Sequence, residues 1–276
     1  VSQRTPPRRF RALFVSDIHL GHKACQADQL LDFLRHHSAD TIFLVGDIID
    51  GWELRSRPFW PKQHDEVVRQ LFLAALSGTR IVYVPGNHDD ALRGYCGARG
   101  SNIEVVERAI HITADGRRYL VAHGDCFDVV ARRAPWLAML GARLYNAAIA
   151  ANGVFNEARR LLGLSYWSIS LWAKLKVKEA VNYISEYEAE LSAEAERFAA
   201  DGIICGHIHC ATSHDEFGVH YVNCGDWVES CTAVAEHHDG RLEVIAWTDR
   251  ARGVAVARGV GRVVPAPALA KVRYDR

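Results

Sequence analysis

The sequence predicts an α/β fold organised around one main domain, and three observations predict it. Apolar runs rich in Val, Ile, Leu and Phe alternate with helical stretches through the first half of the chain. A closing run of strands follows near the C-terminal end. Five of the apolar runs end at a short motif of Asp, His, Asn and Gly, which is where an open α/β sheet gathers its ligands.

Taken in order, Ala12–Ser16 reads as a buried strand that leads into Asp17-Ile18-His19. Gln26–His37 reads as a helix with Leu30, Leu31 and Leu34 on one face. Thr41–Val45 is a second strand and runs into Gly46-Asp47. Asp65–Leu76 reads as a helix, and Arg80–Pro85 as a third strand that Pro85-Gly86 stops, just before Asn87-His88-Asp89. Tyr119–Ala122 ends at His123-Gly124-Asp125, and Gly202–Cys205 at Gly206-His207-Ile208-His209. His220–Cys224, Thr232–Glu236 and Leu242–Trp247 close the series. On extended backbone, the i and i+2 side chains of Asp17-Ile18-His19 and of His207-Ile208-His209 point the same way, so each pair can reach one place.

Residues 127 to 200 carry almost no strand signal and read as a helical insertion. Trp136, Leu137, Leu140, Leu144, Ala148 and Ile149 recur at helical spacing, as do Tyr166, Ile169, Trp172 and Leu175. From Val130 to Lys178 there are eight Lys/Arg against one acid, Glu157; from Glu179 to Asp201 there are seven acids against one base, Arg197. A basic, Trp-containing amphipathic segment suits the surface of an anionic membrane. The plainer alternative is a set of helices packed on the core, with the acidic stretch as an outer helix.

Composition narrows the function. At 276 residues the chain can bury a large core. Its formal net charge is zero and no aromatic–basic groove is readable, which argues against nucleic acid as a partner. Seven cysteines without Cys-x-x-Cys spacing read as reduced thiols of a cytoplasmic protein. Cys205 and Cys210 flank the last motif, but the oxygen and nitrogen donors already suffice for a metal without them. Val1–Arg11 lacks the apolar stretch of a signal peptide, and no apolar run reaches the roughly 18 residues of a membrane span.

Asp, His and Asn are ligands suited to Mn²⁺, Fe²⁺ or Zn²⁺. A two-metal site needs a bridging carboxylate, and Asp47, after the second strand, is the candidate. Two such ions about 3.5–4 Å apart lower the pKa of water between them and hold phosphoryl oxygens during in-line displacement. The chain has neither a Gly-x-Ser-x-Gly elbow nor a Walker loop, consistent with chemistry that needs no protein nucleophile.

The five motifs, in this order, resemble those of the calcineurin-like metallophosphoesterase superfamily over roughly residues 12 to 236. The resemblance implies an α/β/β/α sandwich with two central mixed sheets, residues 10–248 forming the catalytic domain. That domain is interrupted by a helical lid at 127–200 and followed by a basic tail at 249–276. It implies two divalent ions, Mn²⁺ foremost: one held by Asp17, His19, Asp47 and His209, the other by Asp47, Asn87, His123 and His207. His88 would stabilise the phosphoryl group or protonate the leaving oxygen, with Asp89 orienting it. His22, Asp50, Asp125 and Asp226 are candidate substrate contacts. His36, His37, His64, His111, His214, His220, His237 and His238 lie outside the motifs and read as surface or packing residues.

Within the superfamily the chain is most similar to the UDP-2,3-diacylglucosamine diphosphatases of lipid A synthesis. Motif spacing, the position of the insertion and Gly225-Asp226-Trp227 carry that likeness. One departure stands out: those diphosphatases have Arg where this chain has His88. The implied substrate is a nucleotide-linked lipid met at a membrane surface. The alternative is a soluble phosphodiester or phosphomonoester, with nuclease relatives included.

Overall fold

The structure, a computed structural model, describes residues 7–127 and 169–247, with the backbone alone for 169–182. Most of the expected insertion, including Trp136, Arg132, Arg133 and Trp167, and the tail at 249–276 lie outside the described residues.

Two mixed sheets form the centre. The first has seven strands: β1 (Arg8–Val15), β2 (His37–Val45), β3 (Arg80–Val84), β4 (Arg99–Gly100), β5 (Ile103–Val105), β11 (Thr232–Glu236) and β12 (Leu242–Ala246), in the order β12-β11-β1-β2-β3-β5-β4. The second has five: β6 (Ala109–Ile112), β7 (Arg118–Val121), β8 (Gly202–Cys205), β9 (Thr212–His214) and β10 (His220–Asn223), in the order β6-β7-β8-β10-β9. β1, β2, β3 and β5 run parallel, as do β7, β8 and β10, and the flanking strands are antiparallel. The described helices are α1 (Ala27–His36), α2 (Gly51–Ser56), α3 (Lys62–Leu76) and α4 (Ile169–Arg197).

Side-chain parity explains the layering. Phe14, Phe43, Val45, Val82 and Val84 point from the first sheet towards Tyr119, Val121, Ile204 and Val222 of the second. Their neighbours Leu13, Val15, Ile42, Leu44 and Ile81 point the other way and pack under α1 and α3 with Leu30, Phe33 and Val67. Leu120, Ile203, Cys205 and Tyr221 leave the outer face of the second sheet to meet Tyr187, Leu191 and Ala195 of α4. Period-two alternation on strands buried on both faces thus yields the implied α/β/β/α order. Buried Glu236 pins the sheets together: it accepts from Arg11 Nη1 at 2.7 and 2.9 Å, from the Ala114 amide at 2.7 Å, and lies 2.6 Å from His111 Nε2.

Two expectations change. β1 and β2 both start earlier than the apolar runs suggested, because Arg8 pairs with His37. His37 leaves the helix to do so. Its ring packs against Phe33 and Phe10 at 4.3 and 5.8 Å between centroids, and its Nδ1–H donates to the Phe33 carbonyl at 2.9 Å. α3 starts at Lys62, after Pro61, a polar first turn without apolar period. The acidic stretch lies in α4, which covers the outer face of the second sheet through Tyr187, Leu191 and Ala195 and also buries Glu188 and Ser192.

Candidate metal centre

Asp17, Asp47, Asn87, His123 and His207 each lie just past the carboxyl end of a parallel strand: β1, β2, β3, β7 and β8. The loops are tied together by backbone hydrogen bonds. Asp17 N donates to Gly46 O at 3.0 Å, His19 N to Asp47 O at 2.9 Å, and Gly206 N to His123 O at 3.2 Å. Asp17 and Asp47 also use their carboxylates as braces: Asp17 Oδ2 accepts from His207 N at 3.0 Å, and Asp47 Oδ1 from His88 N at 2.8 Å.

The i, i+2 pairs converge by a different geometry from the one expected. Asp17, His19, Asp47, His207 and His209 have φ of +50°, +54°, +52°, +71° and +53°. These are left-handed turns, not extended strand. Such backbone costs on the order of 1–3 kcal/mol per residue and persists only where surroundings enforce it. Its concentration at the candidate ligands is independent evidence of a functional site. Gly86 is required for a related reason: a Cβ there would overlap the Asp47 carboxylate and crowd the His123 ring.

Three overlapping groups of donor atoms result, each within 4.8 Å: Asp17, His19 and His209; His19, Asp47 and His88; Asp47, His123 and His207. Asp17 Oδ1 lies 3.2 Å from His209 Nε2, and the Nε2 atoms of His19 and His209 face each other at 3.4 Å. On the other side, Asp47 Oδ2 lies 3.4 Å from His123 Nε2. His123 Nδ1–H donates to Val45 O at 2.9 Å, which leaves Nε2 as the inward donor. Asn87 Oδ1, Asp17 Oδ1 and His123 Nε2 are buried without hydrogen-bond partners. Buried polar atoms left without partners beside two carboxylates are costly unless a bound ion completes them. The donor set, oxygen and nitrogen throughout, fits divalent ions.

The protein charges act consistently. Burial works against ionisation of Asp17 and Asp47, but the surrounding imidazoles hold both below the ordinary carboxylate range. Burial also opposes charge on His123, yet Asp47 and Asp17 push it up to about 10. His88 and His209 are raised in the same way: burial lowers them, and the carboxylates of Asp50 and Asp17, respectively, more than compensate.

His88 is placed differently from the expectation in one respect. Asp89 does not orient it. The Asp89 carboxylate accepts from Ile48 N at 2.8 Å, Gly86 N at 2.6 Å and Tyr83 Oη at 2.5 Å, bracing the second and third motif loops. Asp50 stands beside His88 instead. Asp50 Oδ1 is 3.0 Å from His88 Nδ1 and caps α2 through Glu53 N at 2.9 Å; its Oδ2 is 3.2 Å from His19 Nδ1. The half-exposed Trp52 lies against the His88 ring, 4.1 Å between centroids and tilted by 31°, a neighbour that no motif signals.

The remaining candidates fall into supporting places. His22 Nδ1 accepts from Ala24 N at 3.1 Å within a turn. Asp125 pairs with Arg93 Nη2 at 2.6 Å. Asp226 gathers the amides of Val228 and Glu229 at 2.7 and 2.5 Å and the Ser230 hydroxyl at 2.7 Å, while the next residue, Trp227, donates its amide to Asp17 O at 3.0 Å. All seven cysteines are free. Cys205 faces the outer side of the second sheet, packed with Leu120, Leu191 and Tyr221, where its thiol donates to Val222 O at 3.6 Å and burial pushes it up to about 12.

The chain is similar to several known proteins. A UDP-2,3-diacylglucosamine hydrolase from Xanthomonas campestris pv. campestris is 28% identical over 248 residues, covering 85% of this chain and 98% of the relative. The DNA polymerase II small subunit of Methanothermobacter thermautotrophicus is 31% identical over 155 residues, 44% of this chain and 32% of its own. Among solved structures, a single mutant of Vps29 from Entamoeba histolytica aligns over 86% of this chain and 99% of its own, with 12% identity and a TM-score of 0.42. The family model for calcineurin-like phosphoesterases matches residues 10–211, and the chain therefore belongs to that family of hydrolases.

Proposed function

We propose that the chain hydrolyses a phosphoric anhydride at a two-metal centre, on a nucleotide-linked lipid of the UDP-2,3-diacylglucosamine type. The observation that carries the two-metal reading is the place of Asp47. It belongs to two of the three donor groups, with His19 and His88 on one side and His123 and His207 on the other. One ion is assigned to Asp17, His19, Asp47 and His209, and the second to Asp47, Asn87, His123 and His207. Mn²⁺ is the proposed metal. When bound, the pair supplies Lewis acidity that activates water and neutralises phosphoryl charge.

The rest of the chemistry belongs to the chain. His88 Nε2 lies 3.9 Å from Asp47 Oδ2, on the inner side of its ring, where it gives a proton to the departing oxygen. Asp50 and Trp52 hold that ring from behind and from one face. The substrate class rests on the relatives that share 98% of their length with this chain, and on Gly225-Asp226-Trp227 beside Asp17. A lipid substrate implies a cytoplasmic enzyme that docks on an anionic membrane surface through the basic stretch at 130–178; no described helix is long and apolar enough to cross a membrane. His88 itself favours a second reading, hydrolysis of a soluble phosphodiester, because the lipid diphosphatases carry Arg there.

The test is turnover with Mn²⁺ on UDP-2,3-diacylglucosamine in mixed micelles, an aryl phosphodiester, an aryl monoester and single-stranded DNA. Preference for the lipid anhydride, with sedimentation on anionic vesicles at low salt, supports the first reading. Higher kcat/KM on the diester with no vesicle binding replaces it with the second.

A further inference from the structure

Tyr187 is one of the most buried residues of α4, yet it carries a polar tip. That tip lies between the backbones of the last two motif loops, 3.4 Å from the His123 carbonyl oxygen and 3.3 Å from the Gly206 carbonyl oxygen, so its one proton is shared between them. Its ring stands 5.9 Å from the His207 imidazole. The approach is made possible at Gly124, whose φ is +107° and where any Cβ would collide with the Tyr187 hydroxyl. Gly206 O receives a second donor, Asn223 Nδ2, at 2.7 Å, and Gly206 N donates back to His123 O at 3.2 Å.

These contacts surround the residues with most to lose from loosening. His207 follows Gly206 directly and holds φ of +71°, a conformation that survives only where neighbours over-determine it. His123 and His207 come from different strands, β7 and β8, and must present their rings to one ion. We propose that Tyr187 is a positioning residue for the second metal: it clasps the His123 and Gly206 loops at a fixed separation and so sets the pocket formed by Asp47, Asn87, His123 and His207. The role rests on the two-metal assignment above. It also gives α4, the C-terminal part of the insertion, a direct hold on the loops that carry both His123 and His207, whereas of the ligands assigned to the first ion only His209 shares a loop with that hold, Asp17, His19 and Asp47 lying on others.

The asymmetry is the testable part. Tyr187→Phe keeps the ring and removes the shared donor. Metal-free wild type and variant are titrated with Mn²⁺ by calorimetry, and the loaded forms are examined by electron paramagnetic resonance. In the variant, one ion binds as in wild type and the other about tenfold more weakly, in keeping with outer partners of metal ligands. The spin-coupled two-manganese signal gives way to a mononuclear one at one equivalent. As a packing control, Leu191→Ala lowers the Tm of the metal-free protein and leaves both Mn²⁺ affinities in place. Two wild-type affinities in Tyr187→Phe overturn the proposal while the two-metal reading stands. Equal weakening of both ions assigns Tyr187 to general packing and also overturns it. A wild type that takes up fewer than two ions overturns the two-metal reading, and this role with it.

Discussion

Asp50→Asn separates two jobs that one carboxylate performs. Asp50 Oδ1 faces His88 Nδ1 at 3.0 Å and accepts from Glu53 N at 2.9 Å; Oδ2 faces His19 Nδ1 at 3.2 Å. Asparagine is as good a helix N-cap as aspartate, so it can keep the cap on α2. It offers one acceptor and one NH₂ group, however, so only one of the two imidazoles keeps its partner and the other meets a donor. A lost hydrogen bond to a charged group is worth about 1.5–3 kcal/mol. At about 1.4 kcal/mol per factor of ten, that corresponds to roughly 10–100-fold. With the amide oxygen kept at the cap, which also faces His88, the orphan is His19 and the loss appears in Mn²⁺ affinity; an amide turned the other way takes the acceptor from His88 and from the cap together, and lowers kcat and the apo-protein Tm. Calorimetry and steady-state turnover of an aryl phosphodiester read the two apart, with apo-protein Tm as the control for the cap. Metal affinity and kcat both within twofold of wild type would falsify the positioning argument and leave Asp50 a helix cap only.

Asp47→Ala is expected to be the most damaging single ligand substitution, because the proposed assignment gives Asp47 to both ions and every other ligand to one; bound Mn²⁺ measured by mass spectrometry should drop for both sites, and full activity after exhaustive chelation would remove the basis for this. His88→Ala should lower kcat by about 10²–10⁴-fold with metal content unchanged, and the loss should shrink as the leaving group improves; an equal loss for all leaving groups points to a structural role. Mn²⁺ affinity should rise with pH. The metal-free His123 is pushed up to about 10, so it carries a proton below that value and must release it to bind. The slope approaches about tenfold per pH unit for one proton, and pH-independent binding between about pH 6 and 9 contradicts it. Glu236→Ala should cost on the order of 3–5 kcal/mol in urea unfolding at neutral pH, since it strands buried His111. Burial raises the Glu236 pKa, but His111, Ala114 and Arg11 bring it below its ordinary 4.5. Its contribution is therefore complete above 4.5 and fades as pH falls through the lowered value, and a gap between variant and wild type that widens in acid would refute the assignment.

The strands and the motifs were legible because both obey local rules. A strand buried on both faces is an apolar run, and a metal site needs acids and imidazoles at the ends of such runs. The convergence of Asp17, Asp47, His123 and His207 on one place could thus be read directly. What stayed hidden depends on neighbours distant in the chain. Asp89 follows His88 in sequence but turns to Ile48 and Tyr83, whereas Asp50, in another motif, reaches His88. The left-handed turns at Asp17 and His209 carry only a faint residue signal, since Asp and His visit that region more often than most side chains but far less readily than glycine. Tyr187 sat in a stretch read by its charge, and only the missing Cβ at Gly124 reveals its place. His37 was hidden because three aromatic rings, Phe10, Phe33 and Trp247, make room for it on a strand.

The donor residues are divided between the two sheets. Asp17, His19, Asp47, Asn87 and His88 ride on the seven-stranded sheet, and His123, His207 and His209 on the five-stranded one. Among the described residues the sheets are held in alignment by interdigitated side chains such as Phe14, Phe43 and Val121, by the Glu236–His111 pin, and by hydrogen bonds that cross between them, His207 N to Asp17 Oδ2 and His123 Nδ1–H to Val45 O among them. The proposed metal centre is therefore a rivet through two plates that have no strand-to-strand bonding between them. A slip of the plates by a fraction of an ångström leaves every strand intact yet pulls the two halves of the coordination apart. Catalysis in this molecule is a gauge of interlayer shear, and a methyl group lost or gained deep between the sheets, far from any substrate, bears on it as directly as a change at the mouth of the site.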